Sequence, residues 1–183
     1  MDLWAYSNIE NISEIAKKNN IDCPRLRGYR LMKNEEPINF KEWLAEERNN
    51  LEVECAEFLC KSDPFWCPTS NGFWLCEETD RKVAYYIDKE NGTVRWDRIH
   101  GWKRRVLKTY IHNEIARYKK QYEVWNKYVG REDVLYIHAR IGGGNWSDYC
   151  KQVVYQPWFL EKVDDGYDST YCDIYAKIGV VNE

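Results

Sequence analysis

The sequence lacks any apolar run long enough to cross a membrane, and it contains only three histidines. No stretch approaches the roughly eighteen consecutive apolar residues typical of a membrane-spanning helix. Met1 is not followed by the basic, apolar and small-residue segments of a secretion signal. These absences predict a cytoplasmic protein that has no membrane partner.

Motifs for cofactors and metals are also missing. The glycine run 142–144 fits neither the phosphate-binding nor the dinucleotide-binding glycine pattern, and the acidic turn 164–168 is not a calcium loop. Seven cysteines without a Cys-x-x-Cys pair predict reduced thiols that pack as small apolar side chains. We therefore expect no cofactor and no metal. The weaker alternatives are zinc at the cysteine cluster 55–76 and a divalent metal at Asp164, Asp165 and Asp168.

The length of 183 residues suits a single α+β domain, with a mainly helical lobe at 1–62 and a sheet plus long helix at 63–183. A net charge of −3 excludes a protein that is basic throughout, although local basic patches remain. Nine tryptophans and fourteen tyrosines exceed what a small core easily buries, and such side chains favour interfaces. A binding surface is the natural expectation.

Apolar periodicity predicts three helices. A short amphipathic helix is expected at 7–20, and a basic and aromatic connector follows at 23–33. A second helix is expected at 39–60, where Asn39 and Glu42 form a capping pair and Phe40, Leu44, Leu51, Cys55 and Phe58 share one side. The longest helix is expected at 102–129, with Gly130 as its stop. Its apolar stripe comprises Leu107, Ile111, Ile115, Tyr118, Tyr122, Trp125 and Val129.

Alternating apolar residues and turn signals predict the strands. They are expected at 73–77, 82–88, 93–96, 134–141 and 169–178, with Asn91-Gly92 as the clearest turn. We predict one sheet, made of an antiparallel meander and the two C-terminal strands, with the two long helices packed on it. The connector at 23–33 is a solvated linker or, alternatively, an arm that faces phosphates.

Three glycines follow the strand at 134–141, where the chain turns or allows a ligand close to its backbone. A turn between sheet elements is the simpler interpretation, and a loop that contacts a partner is the alternative. On the second interpretation, Arg140, Asn145 and Trp146 around this run, and Trp158 in the aromatic segment 156–160, are candidate partner-binding residues.

Charge is distributed unevenly. Residues 95–120 carry nine basic and two acidic side chains, whereas residues 35–57 carry eight acidic and two basic ones. Opposite the apolar stripe of the longest helix lie Arg105, His112, Lys119, Lys120 and Lys127. Arg105 and the three lysines are predicted to bind the backbone of DNA or guide RNA without reading sequence. Alternatively they form a solvated face or balance the acidic helix.

The last third of the chain resembles small proteins of phages and plasmids of gut Firmicutes, and is similar to one family of type II-A anti-CRISPR proteins. The resemblance rests on the segments 136–146, 156–163 and 168–176. It implies a non-enzymatic Cas9 inhibitor from a mobile genetic element, acting in the bacterial cytoplasm. Such a protein binds the Cas9–guide RNA complex, with DNA as a further ligand, and prevents target cleavage.

Two other functions compete with this expectation. An enzyme of nucleic-acid or nucleotide chemistry would use His138 as a general base and Arg140 to stabilise a phosphate, provided that the strands at 134–141 and 169–178 are neighbours. In that case Asp173 and Tyr175 would lie on the same polar face. A phage structural or interaction protein is the third possibility.

Overall fold

The elements seen in a computed structural model confirm the α+β class. The structure describes residues 17–21, 26–62, 81, 83–140, 153–164 and 171–179. Within these residues lie two long helices, α1 (Phe40–Ser62) and α2 (Gly101–Tyr128). The strands are β1 (Leu26–Leu31), β2 (Ile87–Asp88), β3 (Thr93–Val94), β4 (Val134–Arg140), β5 (Phe159–Asp164) and β6 (Tyr171–Lys177). Short 3-10 turns occupy Met32–Asn34 and Trp96–Arg98.

The chain divides into two compact units. Residues 39–118 form one unit, and residues up to 38 form the other together with those from 119 onward. The lobes predicted at 1–62 and 63–183 stay a prediction. Helix α2 contributes its first part to the former unit and its last part to the latter.

The larger sheet has four antiparallel strands in the order β1-β4-β6-β5. The predicted strands at 134–141 and 169–178 are indeed neighbours, and His138 pairs directly with Asp173 in their register. Both edge strands differ from prediction, since 23–33 was expected to be a connector and 159–164 was not predicted as a strand. Edge strands tolerate charge, so Arg30 in β1 and Glu161 in β5 interrupt the apolar alternation that identifies a central strand.

Strands β2 and β3 form a separate two-stranded sheet, which corrects the expectation of one sheet. The predicted turn at Asn91-Gly92 is confirmed, and Gly92 has a φ of 61°. Residues 83–86 are helical instead of extended, because Val83 and Ile87 are four positions apart and both are buried. Strand β3 ends at Val94, and the predicted strand at 73–77 lies outside the described residues.

Helix α1 matches the predicted helix at 39–60 closely. The Asn39 side chain caps it by accepting a hydrogen bond from the backbone N–H of Lys41 at 3.2 Å. From the predicted stripe, Leu51 and Cys55 are buried. They belong to a core shared with α2 and the β2–β3 hairpin, which includes Val83, Ile87, Val94, Leu107 and Ile111.

The described cysteines confirm the prediction of buried reduced thiols. Cys55, Cys60 and Cys172 are free and buried. Burial, with a further contribution from the charge of Glu114, raises the pKa of Cys55 to about 12. Such a thiol stays protonated at neutral pH and packs as a small apolar group.

The last part of α2 covers one face of the four-stranded sheet. Its predicted stripe residues Tyr122 and Trp125 are buried, and the Trp125 ring lies 5.3 Å from that of Tyr136 in β4. The Asn126 amide exchanges two hydrogen bonds with the backbone of Ile38, at 2.7 and 2.8 Å. Gly130, with a φ of 75°, follows the end of the helix as predicted.

The opposite face of this sheet carries its apolar core. The central strands contribute Leu135, Ile137 and Ala139 from β4 and Cys172, Ile174 and Ala176 from β6. Ile21, which follows the predicted first helix, belongs to this core. Of that predicted helix, residues 17–18 are helical in the described part of the chain. Asn20 ends that helix with a φ of 54°, a conformation that asparagine tolerates.

Removal of the Arg117 guanidinium should destabilise the unit formed by residues 39–118. Glu114 is only 8% exposed, and Arg117 donates to its Oε2 at 2.7 Å. Arg117→Met keeps the side-chain volume but leaves a buried carboxylate without its cation. We expect a loss of about 3–5 kcal/mol in the free energy of unfolding, measured with urea at pH 7.

The double variant Arg117→Met, Glu114→Gln provides the control for this pair. It removes both charges, so it should recover a large part of the loss. A single variant that loses less than about 1 kcal/mol, the range of an exposed pair, would contradict the structural role of this interaction.

Candidate nucleic-acid interface

His138 and Asp173 lie together on the face of the sheet that α2 covers. Asp173 Oδ1 is 3.3 Å from His138 Nδ1 and accepts a hydrogen bond from the Tyr136 hydroxyl at 3.0 Å. The Gln121 amide donates to Asp173 Oδ2 at 3.4 Å. His138 is 4% exposed and Asp173 is 1% exposed. The enzyme hypothesis placed both residues on one polar face, and they do lie together there, but they are enclosed by packed side chains.

Tyr175 completes this buried polar cluster. Burial raises the pKa of its hydroxyl well above the usual value, and the negative charge of Asp173 raises it further. Its ring stacks on Tyr128 of α2 at 4.8 Å. The arrangement stabilises a neutral phenol in the core. Arg140 lies at the end of β4 with its backbone paired to Tyr171, and its side chain lies outside the described part.

The three lysines predicted to bind nucleic acid contact carboxylates of this chain. Lys127 Nζ donates to Glu161 Oε2 at 2.8 Å, and Lys120 Nζ lies 4.0 Å from Glu161 Oε1. Lys119 lies 3.8 Å from Glu123. The alternative prediction paired these lysines with the acidic helix. It did not include Glu161 as a partner, because Glu161 belongs to strand β5, which was not predicted.

The other predicted contact residues are distributed differently. Trp158 is 2% exposed and belongs to the apolar core of the sheet, so its expected place at a binding surface is corrected. The cause is burial of the aromatic segment beneath β4 and β6, which sequence alone did not predict. Asn145 and Trp146 lie outside the described residues. Arg105 is exposed on α2, as predicted.

A cleft of about 530 Å³ adjoins the first part of α2. Two apolar side chains from α2, Ile111 and Ile115, line part of it. Its polar lining combines residues from α1, the 3-10 turn and α2: Arg48, Glu52, Trp96, Arg104, Lys108 and His112. The volume lies in the range of small-molecule sites, and basic side chains outnumber the single acidic one in this lining.

Hydrogen bonds hold the polar part of the cleft in place. Glu52 accepts hydrogen bonds from Arg48 Nε and from the Trp96 indole N–H, both at 3.1 Å. Arg104 donates to the Trp96 carbonyl at 3.0 Å, and its guanidinium lies 5.6 Å from the centre of the Trp96 ring. The carboxylate is thus neutralised locally, and Arg104 is oriented by the indole.

Lys108 and His112 are the cleft side chains that are open to a ligand. Neither makes a hydrogen bond or ion pair with another side chain in the described part of the chain. From Arg98 to Asn113 the sequence has five lysines and arginines and no acidic residue. Such a concentration of positive charge favours anionic ligands.

Sequence reasoning found the basic segment but missed most of the cleft. Arg104, Lys108 and His112 recur at intervals of four, which places them on one side of a helix. That spacing could have identified three of the lining residues. Arg48 could not be found in this way, because it belongs to the acid-rich helix and joins the cleft only through tertiary packing.

No helix in the described part of the chain combines the length and apolar composition needed to cross a membrane. Among the same residues, no three histidine, cysteine or acidic side chains are grouped as metal ligands.

Glu161 should make the stability of its unit depend on pH in the acid range. Burial alone would raise the pKa of this carboxyl, but hydrogen bonds from Lys127 and Tyr128 outweigh it and hold the pKa below its usual 4.5. The resulting stabilisation is complete above about pH 4.5 and is lost as the pH falls through the lower folded value. In urea unfolding between pH 3 and 7, Glu161→Gln should flatten this acid dependence.

Glu123→Gln is the matched control for Glu161→Gln. It removes the same charge from an exposed pair in which both side chains are 60% exposed, and it should leave the acid dependence nearly unchanged. Equal slopes for wild type and Glu161→Gln would show that the Lys127 and Tyr128 contacts do not stabilise the carboxylate.

No protein-family model, curated protein or solved structure matches this chain.

Proposed function

We propose that the protein is a non-enzymatic inhibitor that binds a Cas9–guide RNA complex in the bacterial cytoplasm and blocks cleavage of target DNA. The observation that carries the proposal is the basic cleft, in which Lys108 and His112 make no ion pair or hydrogen bond with another side chain of the described residues. The nature of the partner comes from the resemblance of the C-terminal segments to type II-A anti-CRISPR proteins.

Phosphate contact is the chemistry best suited to this surface. The cleft offers a guanidinium held by Trp96, an ammonium and an imidazole, and Arg105 extends the positive charge onto the exposed side of α2. Lysine and arginine contacts to phosphates give affinity without reading base sequence. A guide-loaded nuclease presents such phosphates in its RNA and in the DNA that it captures. An occupied phosphate surface would hinder target loading.

Binding is favoured over catalysis by the state of the candidate catalytic groups. His138 is nearly inaccessible and contacts the buried Asp173 carboxylate, so a substrate has no open approach to it through the described residues. In the cleft, Glu52 already accepts two hydrogen bonds. A general base needs access to the proton that it removes.

Charge reversal in the first part of α2 should weaken nucleic-acid binding. The variant Arg105→Glu, Lys108→Glu replaces two exposed cations that have no carboxylate partner in the described part of the chain. Each lost phosphate contact should reduce the steepness of the log–log dependence of affinity on salt by about 0.9 for duplex DNA and about 0.7 for single strands. Fluorescence anisotropy with labelled oligonucleotides at several salt concentrations measures both effects.

Lys119→Glu, Lys120→Glu is the matched control, since it changes the net charge by the same amount on the same helix. These lysines already contact Glu123 and Glu161, so we expect a smaller loss of affinity and a nearly unchanged salt dependence. Equal losses in both variants would assign binding to net charge alone. Unchanged binding in both, with wild-type circular dichroism, would rule out phosphate contact by α2.

The Cas9 assignment is tested by reconstitution. Purified protein should inhibit target cleavage by guide-loaded type II-A Cas9, and Arg105→Glu, Lys108→Glu should raise the half-inhibitory concentration about tenfold or more, since two phosphate contacts are lost. Tagged wild-type protein should also retain Cas9 from a host with a type II-A system. Unaffected cleavage together with the absence of Cas9 from the eluate would overturn the assignment.

A further inference from the structure

We infer that the exposed rings of Tyr85 and Trp102, flanked by Arg98 and Lys103, stack on the bases of unpaired nucleotides. We call these four residues the aromatic platform. The inference rests on the proposed function and deepens it, because it makes the recognised nucleic acid single-stranded. Tyr85 is 52% exposed and Trp102 is 46% exposed, so both rings are open to solvent.

Contacts between rings and cations join the platform into one surface. The Arg98 guanidinium lies 5.0 Å from the centre of the Tyr85 ring and donates to the Tyr85 carbonyl at 3.2 Å. The Tyr85 ring meets that of Tyr86 edge to face at 5.1 Å. Lys103 Nζ donates to the Tyr86 hydroxyl at 3.1 Å and lies 5.9 Å from the centre of the Trp102 ring. The two exposed rings are therefore oriented without being buried.

This combination suits unpaired nucleotides. Every base has a flat π face that can stack on an aromatic side chain, whereas the bases of a duplex already stack on one another. Cations beside the rings lie where the phosphates of a stacked nucleotide would need them. Stacking of this kind depends little on base identity, which agrees with a partner whose guide sequence varies.

Helix geometry connects the platform with the cleft. Successive residues of a helix are separated by about 100° around the axis. Arg104 therefore points toward the cleft that it lines, Arg105 follows about 100° further round, and Trp102 lies about 60° beyond Arg105. A strand that leaves the cleft across this turn of α2 meets a cation and then an aromatic ring.

A protein segment is the competing occupant, because Val106 is 36% exposed one turn beyond Trp102. Charge complementarity favours nucleic acid. The exposed rings are accompanied by Arg98, Lys103 and Arg105, and no acidic residue occurs from 98 to 113. The platform thus resembles the mixture of aromatic and basic side chains by which proteins bind single strands.

The test compares one sequence as a labelled single strand and as a duplex, in both RNA and DNA. Wild type should bind the single strands more tightly. Tyr85→Ala, Trp102→Ala should weaken single-strand binding about tenfold or more, because loss of stacking on one base corresponds to roughly 5- to 150-fold in affinity. Duplex affinity should change less than about twofold, since the phosphate contacts are retained.

Three further variants separate stacking from bulk and from general aromatic exposure. Trp102→Phe keeps a ring and should retain most of the affinity, whereas Trp102→Leu keeps apolar bulk without a π face and should lose it. Tyr155→Ala removes the side chain of an 82% exposed tyrosine in the other compact unit and should have no effect. Retained affinity in Trp102→Leu would contradict stacking.

The outcomes also separate this inference from the proposed function. If Arg105→Glu, Lys108→Glu weakens nucleic-acid binding and the platform variants do not, base stacking on the platform is refuted and phosphate contact by α2 is still supported. If neither set affects oligonucleotides or Cas9 inhibition, the proposed function fails and the inference fails with it. Loss of Cas9 affinity without loss of oligonucleotide affinity would assign the platform to protein contact and overturn the inference.

Discussion

A buried carboxylate constrains the sheet and the helix that covers it. Burying the charge of Asp173 without hydrogen bonds would cost several kcal/mol, so its oxygens require partners from neighbouring elements. Tyr136 and His138 supply them from β4, and Gln121 supplies one from α2. A shift of register by one residue would move Asp173 to the apolar face of the sheet. The histidine that could have served catalysis is thereby part of the core.

The two parts of α2 meet different demands. Toward its C-terminal end, the helix buries Trp125 and Tyr128 and places Lys127 against Glu161. These side chains therefore stabilise the fold. Toward its N-terminal end, the stripe of Leu107 and Ile111 is enough for packing, and Arg105 and Lys108 on the other sides stay exposed. The proposed binding surface therefore lies on the first part of the helix.

Sequence patterns predicted the elements in which each side of the helix or strand faces a single environment, either apolar or polar. Helix α2 and strands β4 and β6 were found because apolar side chains recur with the period of the element. The edge strands β1 and β5 were missed, since Arg30 and Glu161 interrupt that period, and edge strands tolerate charged residues. The sequence identified only part of the cleft. The spacing of Arg104 and Lys108 places both on one side of α2, whereas Arg48 lines the cleft only because of tertiary packing.

The acidic helix α1 favours one orientation of the protein toward the proposed nucleic-acid ligand. On α1, Arg48 and Glu52 line the cleft, whereas Glu54 lies about 200° further round the helix axis than Glu52. Partial burial raises the pKa of Glu54, and repulsion from Glu47 and Glu57 raises it further, as expected for a crowded negative surface. On the proposed function, a polyanion would approach the cleft side of this unit and would be repelled from the other side. The proposed binding of phosphates by a chain with a net charge of −3 requires such segregation of charge around its helices.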